Sequence, residues 1–283
     1  MKAVAASSIG QYEQSVRALA DYYQTVELGL GACFRAGAAA IPMTPTARAR
    51  DHQTIIGAIV FGSDQGLVGQ FNEVVADLAV KTLGDLPGKH RVWAVGERVH
   101  ARLADAGLPL LALFPLPSAV EAIAPLVGQV LLESETRRDG LEVTELHLFY
   151  NHPTSGAVYA PVNRRLLPLD EEWRKELASR PWPTGSLPEI MGHGTATLRA
   201  FLRGYLFISL FRACAESLAS ENASRLAAMQ RADKNIDDLL SDLNGKFHRL
   251  RQSGIDEELF DVIAGFEALG GGGTGKAREE RGP

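Results

Sequence analysis

Between Pro188 and Pro283 the chain contains no proline, and apolar residues return every three or four positions through most of that stretch. The run starts Leu198, Phe201, Tyr205, Ile208 and goes on through Ala215, Ala219, Leu226, Met229, Ile236, Leu240, Leu243, Phe247 and Leu250. Such spacing is the seam of a coiled-coil helix. At a rise of ~1.5 Å per residue it predicts a helix roughly 80 Å long. A globular domain of this size would be about half that across, so part of the helix must protrude. Three polar residues, Arg212, Asn222 and Asp233, interrupt the seam, where they either fix register or lie beyond the end of the partner helix.

The N-terminus supplies a candidate partner. Ala5, Ile9, Tyr12, Val16, Leu19, Tyr23, Val26, Leu30 and Cys33 alternate in steps of four and three, which predicts one helix over 1–36. Pro42 and Pro45 close it. In the long helix, Gly254 breaks the seam register, and Leu259, Val262, Ile263, Phe266 and Leu269 form a second apolar set.

The middle changes period. Ile55 to Phe61 is a short apolar run bounded by glycine and aspartate, as a strand buried on both faces requires. Helical spacing follows over Phe71–Leu83. Strand and helix then alternate: strands at Arg91–Val95, Leu110–Leu113 and Val143–Tyr150, with helices at Glu97–Ala106 and Ser118–Leu132. A last strand falls within Ala157–Leu167, and a proline-rich linker runs from Pro181 to Pro188. The expected fold is α/β: a Rossmann-like, mostly parallel sheet inserted between two long terminal helices that form an antiparallel coiled coil. The expected divisions are 1–36 for the first helix, 37–190 for the α/β domain with its linkers, 191–269 for the long helix, and 270–283 for a flexible Gly-rich charged tail.

Composition narrows the function. A net charge of −5 argues against non-specific nucleic-acid binding. No apolar run reaches the ~18 residues of a membrane span, Leu108–Leu116 being the strongest, so no direct membrane insertion is expected. Cys33 and Cys214 have no metal-type spacing and read as buried thiols in a reducing compartment.

Little catalytic chemistry can be assembled. The turn from Gly62 to Gln70 (Gly62-Ser63-Asp64-Gln65-Gly66-Leu67-Val68-Gly69-Gln70) joins a strand to a helix, as phosphate-binding loops do. It lacks the terminal Gly-Lys-Ser/Thr of a Walker loop, and its glycines are spaced four and three apart. A tight structural turn capped by Ser63 or Asp64 is the reading preferred over a nucleotide site. No nucleophile elbow is present, and His147 and His152 would point to opposite faces of one strand. Neither a catalytic residue, a cofactor nor a metal is expected. A small α/β nucleotide-binding module or enzyme stays open as an alternative, as does a homodimeric coiled-coil adaptor.

Four segments resemble the F-type ATP synthase gamma subunit, and with the domain order the likeness covers most of the chain. Met1-Lys2-Ala3-Val4-Ala5-Ala6-Ser7 is similar to a stretch of that family's first long helix. Ser63, Asp64, Gly66, Leu67, Gly69 and Asn72 keep the family's central turn, while Gln65, Val68, Gln70 and Phe71 depart from it. Glu216 to Met229 follows the family's Glu-Ser-x-Ala-Ser-Glu segment closely, and Arg251 to Leu259 resembles its Arg-Gln segment. Asp256 replaces a threonine, and Phe266 stands where a small residue is usual.

The resemblance implies a central rotor shaft. It would couple ion flow through the membrane sector to ATP synthesis or hydrolysis in a ring of alpha and beta subunits, with catalysis in other subunits. Implied partners are the alpha, beta and epsilon subunits and the ring of membrane c subunits, which choose the coupling ion, proton or sodium. The implied location is the cytoplasmic face of the plasma membrane, as a peripheral part of the complex. Arg225, Arg251 and Gln252 would meet the beta subunits, and Val262, Ile263 and Phe266 would turn in an apolar sleeve. Leu226, Met229, Ile236, Leu240, Leu243, Phe247 and Leu250 would form the paired seam. The family's first helix usually starts several turns earlier, so the resemblance implies either a start upstream of Met1 or a truncated, less well-held shaft. The substituted turn and the Gly270–Gly275 run favour a divergent copy.

Overall fold

The computed structural model describes residues 2–36, 55–135, 143–154, 159–186, 188–190 and 194–270. The Gly-rich tail beyond Gly270 and the linker His193 lie outside them. Two compact units divide the chain, Met1–Met229 and Gln230–Pro283.

The first unit is built on five strands: β1 (Ile55–Phe61), β2 (Lys89–Val95), β3 (Leu110–Phe114), β4 (Glu145–His152) and β5 (Ala160–Leu167), in the order β3-β2-β1-β4-β5. The first four are parallel, and β5 runs antiparallel to β4. Every residue of the central strand β1 is buried, as its continuous apolar run requires. Helices α3 (Phe71–Asp85), α4 (Glu97–Asp105) and α5 (Ile123–Glu135) make the crossovers, α5 being entered by a 3₁₀ turn at Val120–Ala122.

Side-chain alternation along the strands separates two cores. Ile56, Ala58 and Val60 of β1 pack with Val75, Ala79 and Leu83 of α3 and with Val99 and Leu103 of α4. Ile59 and Phe61 face the other way, with Trp93, Leu148 and Tyr150, onto α5 and the terminal helices.

The N-terminal helix departs from expectation. It is two helices, α1 (Lys2–Ala18) and α2 (Ala20–Arg35), interrupted at Leu19. There the Leu19 N–H donates to the Val16 carbonyl, a three-residue step. One turn earlier the Ser15 hydroxyl donates to the Tyr12 carbonyl at 2.7 Å, a back-bond that bends helices. A further helix had no counterpart in the sequence reading: α6 (Glu171–Ser179), whose Asp170 cap accepts from the Glu172 N–H at 3.1 Å.

The long helix α7 runs from Gly194 to Gly270, 77 residues, without a break at Gly254. Its first part, to Met229, belongs to the same compact unit as the sheet. Within that unit α1 and α2 lie antiparallel to α7. Val4, Ser8 and Tyr12 share a cleft with Leu218, Asn222 and Arg225, and Val16 lies near Ile208 and Arg212. Tyr23 and Tyr205 have ring centroids 6.2 Å apart, and Gly29 meets Phe201.

The second unit is described from Gln230 to Gly270 as helix alone. Its seam residues are open: Ile236, Leu240, Leu243, Phe247 and Leu250 are all exposed, between 53% and 73%. Within the first unit, the first helix pairs with α7 upstream of Gln230.

Candidate functional site

The turn from Gly62 to Gln70 lies at the carboxyl ends of the parallel strands, where open α/β sheets bind ligands. Its own side chains fill that position. Asp64 Oδ1 accepts from the Glu97 N–H at the start of α4, and Oδ2 accepts from the Leu116 N–H after β3, both at 2.9 Å. A carboxylate thus sits on the N-terminus of the neighbouring helix α4, while the turn itself leads into α3.

This corrects the expected cap. Asp64 caps α4, and Ser63 caps nothing: α3 starts seven residues beyond Asp64, behind Gln70, which makes no side-chain cap bond. Ser63 is buried and locked to Asn72 instead. The Ser63 N–H donates to Asn72 Oδ1 and the Asn72 amide donates to Ser63 Oγ, each at 2.8 Å. The Ser63 hydroxyl then donates to the Gln65 carbonyl.

Backbone crowding explains the glycines. A Cβ on Gly62 would overlap Val99, and Gly96, at φ +113°, approaches the Ser63 backbone with room for hydrogen only. Leu67 is strained differently, being a leucine at φ +62° and 71% exposed. Gly66 and Gly69 are exposed, and Gly69 takes φ +60°.

The turn also receives α7. Ser224 Oγ donates to the Val68 carbonyl at 2.6 Å, and Ser220 Oγ to the Asn151 carbonyl at 3.1 Å. Between them Glu221 is buried and accepts from Arg225 at 2.6 Å. Burial pushes the Glu221 carboxyl above the usual carboxylate range, against the pull of Arg225. Arg225 is therefore half-buried and paired. It opens into a cleft of about 380 Å³ shared with Tyr12, Asp64, Leu116 and Asn222. The serine contacts left no sequence signal, because their acceptors are backbone carbonyls distant in the chain.

The two histidines of β4 do point to opposite faces. His147 lies between Asn163 and Glu145, and His152 sits 2.9 Å from Glu216, which also accepts from Arg212 at 2.7 Å. These are structural ties between β4, β5 and α7. Among the described residues no group of histidines, cysteines and carboxylates could hold a metal ion, and no helix is long and apolar enough to cross a membrane.

In the second unit, Arg251 and Gln252 are exposed on α7, as are Val262 (69%), Ile263 (45%) and Phe266 (77%). Leu226 and Met229, in the first unit, are half-buried. These seven positions are thus spread along α7, not gathered into a pocket.

Comparison with known proteins identifies the family. The ATP synthase family model matches residues 1–269. The ATP synthase gamma chain of Syntrophus aciditrophicus is 30% identical over 234 residues, covering 77% of this chain and 74% of the relative. That of Lachnoclostridium phytofermentans is 29% identical over 219 residues, with 75% and 73% covered. The fold is shared with a chain of the Tetrahymena thermophila mitochondrial ATP synthase central stalk and c-ring structure, at a TM-score of 0.56, 19% identity and 82% and 97% coverage. It is also shared with a chain of the Euglena gracilis mitochondrial ATP synthase (TM-score 0.56, 14% identity, 98% and 99% covered). The chain belongs to the ATP synthase gamma-chain family.

Proposed function

We propose that this chain is the central rotor shaft of an F-type ATP synthase, with no catalytic residue of its own. It couples ion flow through the membrane sector to ATP synthesis or hydrolysis in the alpha and beta subunits. The observation that carries the reading is the family match across residues 1–269. An apolar stripe on the far part of α7, exposed in the chain by itself, supports it.

In this reading the α/β domain, 37–190, meets the epsilon subunit and the ring of c subunits. Arg225, Arg251 and Gln252 contact the beta subunits, Arg225 arriving already paired with Glu221. Val262, Ile263 and Phe266 turn in an apolar sleeve, where non-directional contact offers no single orientation in which to lock. The seam residues Leu226, Met229, Ile236, Leu240, Leu243, Phe247 and Leu250 are covered by helices on assembly. The complex stands on the cytoplasmic face of the plasma membrane, this subunit attached through its partners.

The test is a native mass spectrum of what co-purifies with the C-terminally tagged chain from gently solubilised membranes. One copy with three alpha and three beta subunits is expected. A lone monomer or homodimer, from membranes that contain intact synthase, overturns the proposal.

A further inference from the structure

Between Ser217 and Arg225 α7 buries several polar side chains beside Leu218 and Ala219. Ser217, Ser220, Glu221 and Ser224 are buried there, whereas the same helix upstream buries Leu206, Leu210 and Phe211. A serine inside a helix ordinarily returns its hydroxyl to a carbonyl one turn back on the same helix. Ser220 and Ser224 reach outward instead, to the Asn151 carbonyl on β4 and the Val68 carbonyl in the turn.

Both acceptors are themselves held. Asn151 is fully buried and its amide donates to the Phe71 carbonyl at 2.8 Å, tying β4 to the start of α3. The turn carrying Val68 is fixed by the Ser63–Asn72 pair and by Asp64. The two serines are four residues apart, so their bonds lie on one stripe, ~6 Å apart along the helix axis.

Apolar packing and the His152–Glu216 contact seat α7 on the body, and the two serine bonds add directional contacts at the turn and at β4. A hydrogen bond weakens steeply as its angle departs from linear. Rolling α7 by a single residue would break both serine bonds and leave buried hydroxyls and carbonyls unpaired. We infer that Ser220, Ser224 and Asn151 form a rotational key: they are positioning residues that fix the azimuth of α7 on the body, so that torque on the helix turns the body and is not lost as rolling. The inference rests on the rotor function proposed above.

The test uses the assembled synthase carrying Ser220→Ala with Ser224→Ala, reconstituted into sealed liposomes. ATP hydrolysis and ATP-driven ion uptake are measured together while an opposing ion gradient is raised. Hydrolysis is expected to stay within about twofold of the unmodified enzyme, while ions moved per ATP fall several-fold under load, since losing two hydrogen bonds makes slipping about tenfold or more frequent. Ser224→Thr, which keeps a hydroxyl, restores the ratio in the single-site background. An unchanged ratio under load overturns the key, and so does a parallel fall in hydrolysis and uptake, the mark of a purely structural role. Should the double variant fail to assemble, Ser224→Ala alone is judged by the same ratio. Failure of the unmodified tagged chain to co-purify with alpha and beta subunits would instead overturn the rotor function itself.

Discussion

Gly29 of α2 faces the ring of Phe201 on α7 at a separation that leaves no room for a Cβ. The contact sets how closely the first helix can approach the long one, in the same antiparallel register that brings Tyr23 to Tyr205. Gly29→Val should cost about 1–3 kcal/mol of stability through overpacking. Combined with Phe201→Ala it should cost less than the sum of the two, because the space is shared. Urea unfolding of the four proteins in this cycle decides it; strict additivity would mean the two residues do not touch.

Asp64 holds two N–H groups from two different elements. Asp64→Ala should destabilise the chain by about 2 kcal/mol, the scale of a lost helix cap and a charge-assisted bond. Asp64→Asn, which keeps one acceptor oxygen, should recover part of it. Amide hydrogen exchange should quicken at Glu97 and Leu116 in the alanine variant and nowhere on β5. Unchanged exchange at both amides would refute the double cap.

Glu221 links stability to pH. Its folded-state carboxyl is raised by burial, so the native chain binds this proton more tightly than the unfolded chain, whose glutamates titrate near ~4.3. The group's contribution is full below that value and is lost as pH rises through the raised one. Glu221→Gln should therefore become progressively more stable relative to the parent as pH climbs from about 4 towards neutrality. Thermal midpoints against pH for both proteins supply the comparison, and a difference running the other way would show that Arg225 dominates.

Substitutions on the two parts of α7 should behave oppositely. Ile208 is buried, and Ile208→Ser should cost about 3 kcal/mol or more. Phe247 is 60% exposed, and Phe247→Ser should stay within about 0.5 kcal/mol in the isolated chain. The same Phe247→Ser change should weaken recovery of alpha and beta subunits with the tagged chain. Destabilisation by Phe247→Ser in the isolated monomer would place that side chain in a contact the structure lacks.

Both cysteines should resist thiol reagents in the native state. Cys33 and Cys214 are buried, and burial pushes both thiols up, Cys214 further, with Glu221 adding to it. Ellman's reagent at pH 8 should react with neither until denaturant is added. Prompt labelling of one thiol in native protein would expose an opening of the α2–α7 pairing.

The sheet and the long helix were legible because their signals are periodic. β1 is an unbroken apolar run, and α7 repeats its apolar positions over many turns, so type and extent followed from spacing alone. The interruption at Leu19 carries no proline or glycine, and the serine back-bond one turn before it leaves no mark in the apolar spacing. Helix α6 was missed although Asp170 before Glu171 and Glu172 is a recognisable start, because its apolar content is slight. Spacing reveals the apolar stripe from Ile236 onward, exposed on the helix, but periodicity does not say which chain covers it. The partners of Asp64 and Ser224 are not legible in the sequence, since backbone N–H and carbonyl groups look alike at every position.

The open stripe on α7 has a consequence for the cell that makes this polypeptide. A chain released in excess of its partners carries an apolar face from Ile236 to Phe266 into solution, and such faces recruit chaperones, proteases and one another. Copies in excess of their companions are then expected to turn over faster than assembled ones, so that abundance follows the scarcest companion.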